Sequence, residues 1–252
     1  MLEVLAARRD GHPLISAHRG GAAYAPENTM AAFRNGAAIG ADLLELDVQL
    51  TADGRMVVIH DHSLDRTTNG HGPVHAQTLA QLRELDAGSW FGPSFAGERL
   101  PTLDEVAAWA AGRVRLNIEI KSGPDTLGDL PEQVVATCRR YGIVQETLVI
   151  SFDHVAIRRV KEAEPGLAGA INFTARLADP LGAARAAHAN ILNMSAGFIS
   201  RELCELAHGA GLGVQCFMDN PERAVVLADM GVDFMDSDHP DVVRAAVRGR
   251  PR

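Results

Sequence analysis

The sequence predicts a single (β/α)8 barrel, an α/β fold, with a small insertion after its second strand region. Three observations point there: a length of 252 residues, strand-length apolar runs alternating with helix-length segments almost from end to end, and eight such runs in all. The predicted strands are residues 13–18, 43–50, 114–120, 147–152, 168–173, 191–194, 213–218 and 232–236. Amphipathic helices are expected between them. In 29–39, Met30, Phe33 and Ala37 recur at helical spacing, and the segments 132–141, 155–164, 200–210 and 221–230 behave alike. The run 56–60 reads as an extra short strand or an extension of the second unit. Residues 61–101, rich in Gly, Thr, His and Pro, break the alternation and are expected to form an inserted subdomain or lid within one domain spanning 1–252.

Composition narrows the function classes. A net charge of −8 with 46% hydrophobic residues opposes a large nucleic-acid surface, which needs Lys and Arg to neutralise phosphates. A small anionic substrate stays compatible if positive charge is concentrated locally. Cys138, Cys204 and Cys216 are odd in number and widely spaced. They form no disulfide framework or CxxC knuckle and read as core thiols in a reducing compartment. No window is apolar enough for a membrane span, and residues 1–9 lack the pattern of a secretory signal, so a soluble cytoplasmic protein without stable membrane insertion is expected.

Two histidines carry the chemical signal. His18 in Ser16-Ala17-His18-Arg19-Gly20 and His60 in Val57-Val58-Ile59-His60-Asp61 each close an apolar run. Both are read as ending barrel strands, where such barrels carry their active sites. Two imidazoles can supply a general base and a general acid. Most other histidines (His12, His71, His75, His154, His188, His208) read as packed or surface residues, and His62 and His239 lie near strand ends without a clear role.

Side chains alternate faces along a strand, so Glu45 and Asp47 share a face, as do Asn117, Glu119 and Lys121. Clustered carboxylates need a counterion. Their oxygen donors select Mg²⁺ or Ca²⁺, and no nearby Cys or His pair favours zinc. Arg19 can hold a phosphate with its planar fork, and Lys121 can add a second positive charge or pair with the acids. Asn28 or Thr29 in Ala25-Pro26-Glu27-Asn28-Thr29 is expected to cap the following helix.

Taken together, His18-Arg19-Gly20, Pro26-Glu27-Asn28-Thr29, Glu45-Leu46-Asp47, His60-Asp61, Leu64-Asp65-Arg66-Thr67-Thr68-Asn69-Gly70, Pro101-Thr102-Leu103 and Glu119-Ile120-Lys121 resemble the glycerophosphodiester phosphodiesterase family. The match in order and spacing covers roughly residues 14–121. It implies Mg²⁺- or Ca²⁺-dependent hydrolysis of a small glycerophosphodiester to glycerol 3-phosphate and an alcohol. His18 and His60 would be the acid/base pair, Glu45, Asp47 and Glu119 the metal ligands, and Arg19 and Lys121 the phosphate holders. The second half matches more loosely, through Ser151-Phe152-Asp153, Gly231-Val232-Asp233 and Ser237-Asp238-His239-Pro240. Where the family usually has a Trp-Thr-Val-Asp/Asn run, this chain has Cys216-Phe217-Met218-Asp219-Asn220, which leaves the shape of the substrate pocket open.

Three further readings compete. A lysophospholipase D would need an apolar groove, which Trp90, Phe91 and Phe95 of the insertion could provide, although those rings also fit a small core of the insertion itself. A non-catalytic phosphate-binding barrel would be expected to have lost a histidine or an acid, and none is missing. A sugar-phosphate isomerase would not require two histidines flanking an acid cluster.

Overall fold

A computed structural model describes residues 11–123 and 126–249. Residues 1–9, read above for a secretory signal, lie outside the described residues. Eight parallel strands close into a barrel: β1 (Leu14–Ala17), β2 (Leu43–Leu50), β4 (Arg115–Ile120), β5 (Thr147–Ser151), β6 (Ala168–Phe173), β7 (Ile191–Met194), β8 (Gly213–Phe217) and β9 (Phe234–Ser237). Pairing runs in that order, with β9 returning to β1, and β1 to β2. Each expected strand is present, displaced by two residues at most.

The two-residue period of the strands explains the interior. Leu14, Leu43, Leu148, Ala168, Ile191 and Phe234 form part of a dry cluster that plugs the end where the strands begin. Two residues further along those strands the interior turns polar in several places: Leu14 gives way to Ser16, Leu43 to Glu45, Ile191 to Asn193 and Phe234 to Asp236. The opposite faces, such as Ile15, Leu44, Leu46, Ile118, Val149, Leu192 and Met235, belong to the larger core shared with the helices.

Helices α1 (Met30–Ala38), α3 (Leu103–Ala110), α4 (Leu130–Arg140), α5 (His154–Ala163), α6 (Pro180–Ala186), α7 (Arg201–Gly209), α8 (Pro221–Met230) and α9 (Pro240–Arg248) surround the strands, and α2 (Leu79–Leu82) is a single short turn. Thr29 caps α1 by accepting the Ala32 N–H, while Asn28 has another role described below. Thr102 and Glu105 form a reciprocal capping box on α3.

The reading of His60 as ending a barrel strand requires correction. Its run forms β3 (Met56–Val58), an antiparallel partner of β2 with Val48 opposite Val58. The tight turn at residues 51–55 lets β2 run past the barrel and fold back. Ile59 then donates to the Asp47 carbonyl at 2.9 Å, so the hairpin brings His60 back down to the acids. Gln49 fixes this return: its Nε2 lies 2.9, 3.1 and 2.8 Å from the carbonyls of Ile59, His60 and Asp61.

Residues 61–101 pack on an aliphatic cluster of Val57, Ile59, Leu64, Val74, Leu82, Ala87 and Leu100. Trp90, Phe91 and Phe95 are outside that cluster and meet one another edge to face at 5.6 and 5.5 Å. Gln49→Leu should leave the carbonyls of the return unpaired in a buried place and cost about 2–4 kcal/mol. Hydrogen exchange should speed up at residues 59–62 while protection of the barrel strands is retained.

Candidate active site

Glu45, Asp47 and Glu119 reach one spot because of strand register. Asp47 is paired with Glu119 and Glu45 with Asn117 across β2 and β4, so three acids on one inner face become neighbours. One oxygen from each lies within 4.8 Å of the others, and all three residues are buried. At an effective dielectric near 20, two such charges repel by roughly 3 kcal/mol. Burial and the charge of Asp47 push Glu45 well above the usual carboxylate range and Glu119 up to about 6. For Asp47 burial acts in the same sense, but Lys121, His60 and Arg19 outweigh it and hold the carboxyl low.

This trio fits a hard divalent cation. Its donors are all oxygen, and Asp47 Oδ1 is buried without a hydrogen bond, although the Lys121 Nζ stands 3.1 Å away. Asn28 fixes the other side of Asp47: its Nδ2 donates to Oδ2 at 2.7 Å while its Oδ1 accepts the Asp47 N–H at 3.2 Å. Asn28 holds that position with a φ of 59°, a conformation asparagine tolerates better than most residues. Lys121 Nζ also meets Glu119 Oε1 at 2.6 Å. Burial disfavours its charge, but Asp47 and Glu119 keep it protonated.

His18 and Arg19 follow β1 in a single 3-10 turn, His18–Gly20. The turn is tight enough to demand glycine at 20: its φ is 86°, and an added Cβ would lie 2.7 Å from the Ala32 side chain. Arg19 donates its backbone N–H to Glu45 Oε2 at 2.7 Å and its guanidinium to Glu27 at 2.8 Å.

Both histidines are anchored through Nδ1, leaving Nε2 as the nitrogen free to exchange a proton. His18 Nδ1 lies 2.7 Å from Asp238 Oδ1, and His60 Nδ1 lies 2.6 Å from Asp61 Oδ1. Their protonation preferences differ. Burial opposes charge on His18, yet Asp238 and Glu45 overcome it and raise the imidazole to about 9. For His60, burial together with Lys121 and Arg19 outweighs Asp47 and Asp61, and the imidazole falls below its usual value.

These side chains surround a cavity of about 540 Å³ at the mouth where the barrel strands end. All seven candidate residues gather there; six line the cavity and Asp47 sits buried beside them. His62 instead bonds Gln49 through Nδ1 at 2.9 Å, and His239 packs against Tyr24. The cavity's far wall comes from the barrel, through Ile150, Phe152, Phe173, Met194 and Phe217, and the insertion aromatics take no part in it. Phe217 stands edge-on to His18, with centroids 4.9 Å apart.

Several site residues had no role assigned from the sequence, although Arg66 and Asp238 stood within the motifs quoted above. Arg66 clamps the periphery, donating to Asp61 at 2.7 Å and to Glu27 at 2.7 Å. Asp236, buried at the cavity lining, accepts from Asn117 at 3.0 Å and Gln215 at 2.7 Å. Asp238 carries His18. The signal for both acids was available: Phe234, Asp236 and Asp238 recur at the same two-residue period that singled out Glu45 and Asp47.

The glycerophosphoryl diester phosphodiesterase family model matches residues 18–242. The chain belongs to this family. A glycerophosphodiester phosphodiesterase of Caldanaerobacter subterraneus subsp. tengcongensis is 39% identical over 240 residues, covering 93% of this chain and 98% of that protein. One from Bacillus subtilis (strain 168) is 30% identical over 255 residues, covering 94% and 87%. Among solved structures, an Oleispira antarctica phosphodiesterase in complex with the product sn-glycerol-3-phosphate superposes with a TM-score of 0.84 at 30% identity, covering 94% of this chain and 98% of that one. A glycerophosphodiester phosphodiesterase from Agrobacterium tumefaciens gives 0.80 at 32% identity, covering 92% and 99%. This family member is a phosphoric diester hydrolase, a glycerophosphodiester phosphodiesterase.

The acid trio makes a pH-dependent prediction. A carboxyl raised from 4.5 to about 6, as at Glu119, binds its proton more tightly folded than unfolded. Its contribution to stability is therefore lost as pH rises through that interval, by roughly 2 kcal/mol in all. Mg²⁺ or Ca²⁺ should raise Tm at pH 8 and do so much less at pH 5, where protons compete for the oxygens. Glu45→Gln should stabilise the cation-free protein at pH 8 and erase most of the cation-induced shift, both read by calorimetry.

Proposed function

We propose that the chain hydrolyses glycerophosphodiesters to glycerol 3-phosphate and an alcohol, with a divalent cation held by Glu45, Asp47 and Glu119 and proton transfers carried by His18 and His60. The observation that carries this reading is the pair of imidazoles, each tied by Nδ1 to its own carboxylate and both facing the cavity beside the acid trio. Such a cation supplies electrostatic stabilisation of charge on the phosphate.

The chain's own groups do the rest. Arg19 and Lys121 draw the phosphate into the mouth. His60, whose surroundings favour the neutral ring, takes the proton from the attacking oxygen at Nε2. His18, whose surroundings favour the charged ring, gives its Nε2 proton to the departing alkoxide. The attacking oxygen is either the neighbouring glycerol hydroxyl, giving a cyclic phosphate that water opens, or water itself. A substrate lacking that hydroxyl separates the two, since undiminished turnover eliminates the cyclic route. The product present in the Oleispira antarctica relative supports glycerol 3-phosphate as the product here. Of the two cations, Mg²⁺ and Ca²⁺ both suit oxygen donors. Cytoplasmic residence belongs to the same proposal, supported by three buried, unbridged cysteines. No helix among the described residues is long and apolar enough to cross a membrane.

A second reading rests on the far wall. Phe152 and Phe217, 57% and 44% exposed, face the opening with Ile150, Phe173 and Met194 behind them, a surface suited to hydrocarbon. It supports lysophospholipase D activity in the same site, with the barrel rather than the insertion supplying the groove.

His18→Ala and His60→Ala should each lower kcat by at least about 10² while preserving the cation-induced shift in Tm. Near-wild-type turnover would remove that histidine from the mechanism. A general acid is lost as pH rises through its pKa, and Asp238 raises that of His18. In Asp238→Asn the alkaline limb of the kcat/KM profile should therefore move to lower pH. For the second reading, Phe152→Ser should lower kcat/KM for long-chain lysophosphatidylcholine several-fold more than for glycerophosphocholine; equal effects on both would refute it.

A further inference from the structure

At the opposite end of the barrel, where the chain enters β2, β4 and β5, a second cavity of about 370 Å³ opens. Four arginines line it, Arg113, Arg115, Arg244 and Arg248, against two acids, Asp42 and Glu146. The cavity thus gathers an excess of two positive charges in a protein whose net charge is −8.

Only two of these arginines are committed. Arg248 donates to Asp42 Oδ2 at 2.6 Å, and the same oxygen accepts the Ile15 N–H at 2.9 Å, which ties Asp42 to β1. Arg113 donates to the Trp109 carbonyl. Among the described residues, the guanidiniums of Arg115 and Arg244 have no hydrogen-bonding or ionic partner. Arg244 Nε is buried and unsatisfied. Its guanidinium lies over Gly40, where an added Cβ would meet Nη1 at 3.0 Å, and the φ of 83° at that position favours glycine as well. The backbone has made room for a charged fork that nothing in the described chain uses.

A buried donor without an acceptor, two free planar forks and local positive excess call for one kind of ligand, a multivalent oxyanion held through paired N–H···O bonds. A carboxylate carries a single charge and would leave half the excess standing; a phosphate dianion matches it. We propose that this cavity is a second, non-catalytic site for a small phosphate-bearing dianion, gripped by Arg115 and Arg244 at the face remote from the hydrolytic mouth. The site does not depend on the mechanism proposed above, since none of its residues reaches the catalytic cavity.

Calorimetric titration of the full chain with inorganic phosphate and with glycerol 3-phosphate, in the presence of a chelator, tests the proposal. Because Arg19 and Lys121 at the mouth also attract phosphate, the titration is run on Arg19→Gln/Lys121→Gln, which should retain one saturable site. Adding Arg115→Gln and Arg244→Gln to that protein should weaken the remaining binding at least 10-fold. Tighter binding of glycerol 3-phosphate assigns the site to organic phosphates, and tighter binding of the free ion assigns it to inorganic phosphate. In the otherwise wild-type enzyme, Arg115→Gln/Arg244→Gln should leave glycerophosphodiester turnover unchanged, which also reports that it folds. The charge-preserving pair Arg115→Lys/Arg244→Lys should still lose several-fold in affinity, because an ammonium cannot make the bidentate contact. Absence of a saturable site in the mouth variant, or equal affinity with and without the Arg115 and Arg244 substitutions, would overturn the proposal.

Discussion

Mutual repulsion among Glu45, Asp47 and Glu119 is the constraint around which the mouth of this barrel is organised. Parallel register places the three acids in contact distance, and burial denies them water, so each arrangement nearby can be understood as a response. Asn28 adopts a left-handed backbone to grip one oxygen of Asp47. Arg19 turns its N–H to Glu45, and Lys121 bridges Glu119 and Asp47. Even with these partners Glu45 and Glu119 remain strained toward the protonated form. A site that stays electrostatically unsatisfied after its own cations are counted is poised for another positive charge, and its oxygen donors say which kind.

Around this trio lies a ring of hydrogen bonds that sets where the imidazoles point. Asp238 and Asp61 take the Nδ1 sides, and Arg66 joins Asp61 to Glu27, which in turn holds Arg19. The ring therefore links the β1 turn, the α1 entry and the hairpin return. Each histidine arrives by a different route, one on a turn at a strand end and one on a folded-back ribbon. The shared device is a carboxylate behind the ring, which fixes the tautomer and presents Nε2 to the cavity.

The legibility of this molecule in its sequence follows from the same physics. A strand's two-residue period is local, so eight strands and the acids on β2 and β4 could be read directly from Glu45-Leu46-Asp47 and Glu119-Ile120-Lys121. The long-range partners could not. Which carboxylate stands behind His18 depends on β9 closing against β1, 220 residues away along the chain, and no local pattern encodes that distance. The extra short strand expected for the run before His60 is present, but the placement of His60 at the end of a barrel strand was wrong, because a short apolar run looks the same whether it joins the barrel or pairs beside it. Asn28 shows a third limit: its capping chemistry was visible, whereas its use as a ligand for Asp47 required the strand to lie alongside.

The aromatic residues show how a residue type can be legible while its place is not. Trp90, Phe91 and Phe95 are close in sequence and drew attention as a candidate groove, but they satisfy one another at the edge of the insertion. The apolar wall that faces the two histidines and the acid trio is assembled from β5, β6, β7 and β8, one or two side chains from each strand end. Dispersed contributions of this kind are what a barrel mouth requires, since each strand delivers few residues to the rim. The charged pole comes from β9, β1, β2 and β4 with His60 of the hairpin, and the apolar pole from β5 to β8. Closure of the sheet sets these poles face to face, so under the proposed function a substrate held by its phosphate would have its substituent directed at hydrocarbon rather than water. Phe217 ties the poles together: standing in the stretch where family members usually carry tryptophan, it packs on His18, and its size affects both the room for the substituent and the seating of the imidazole.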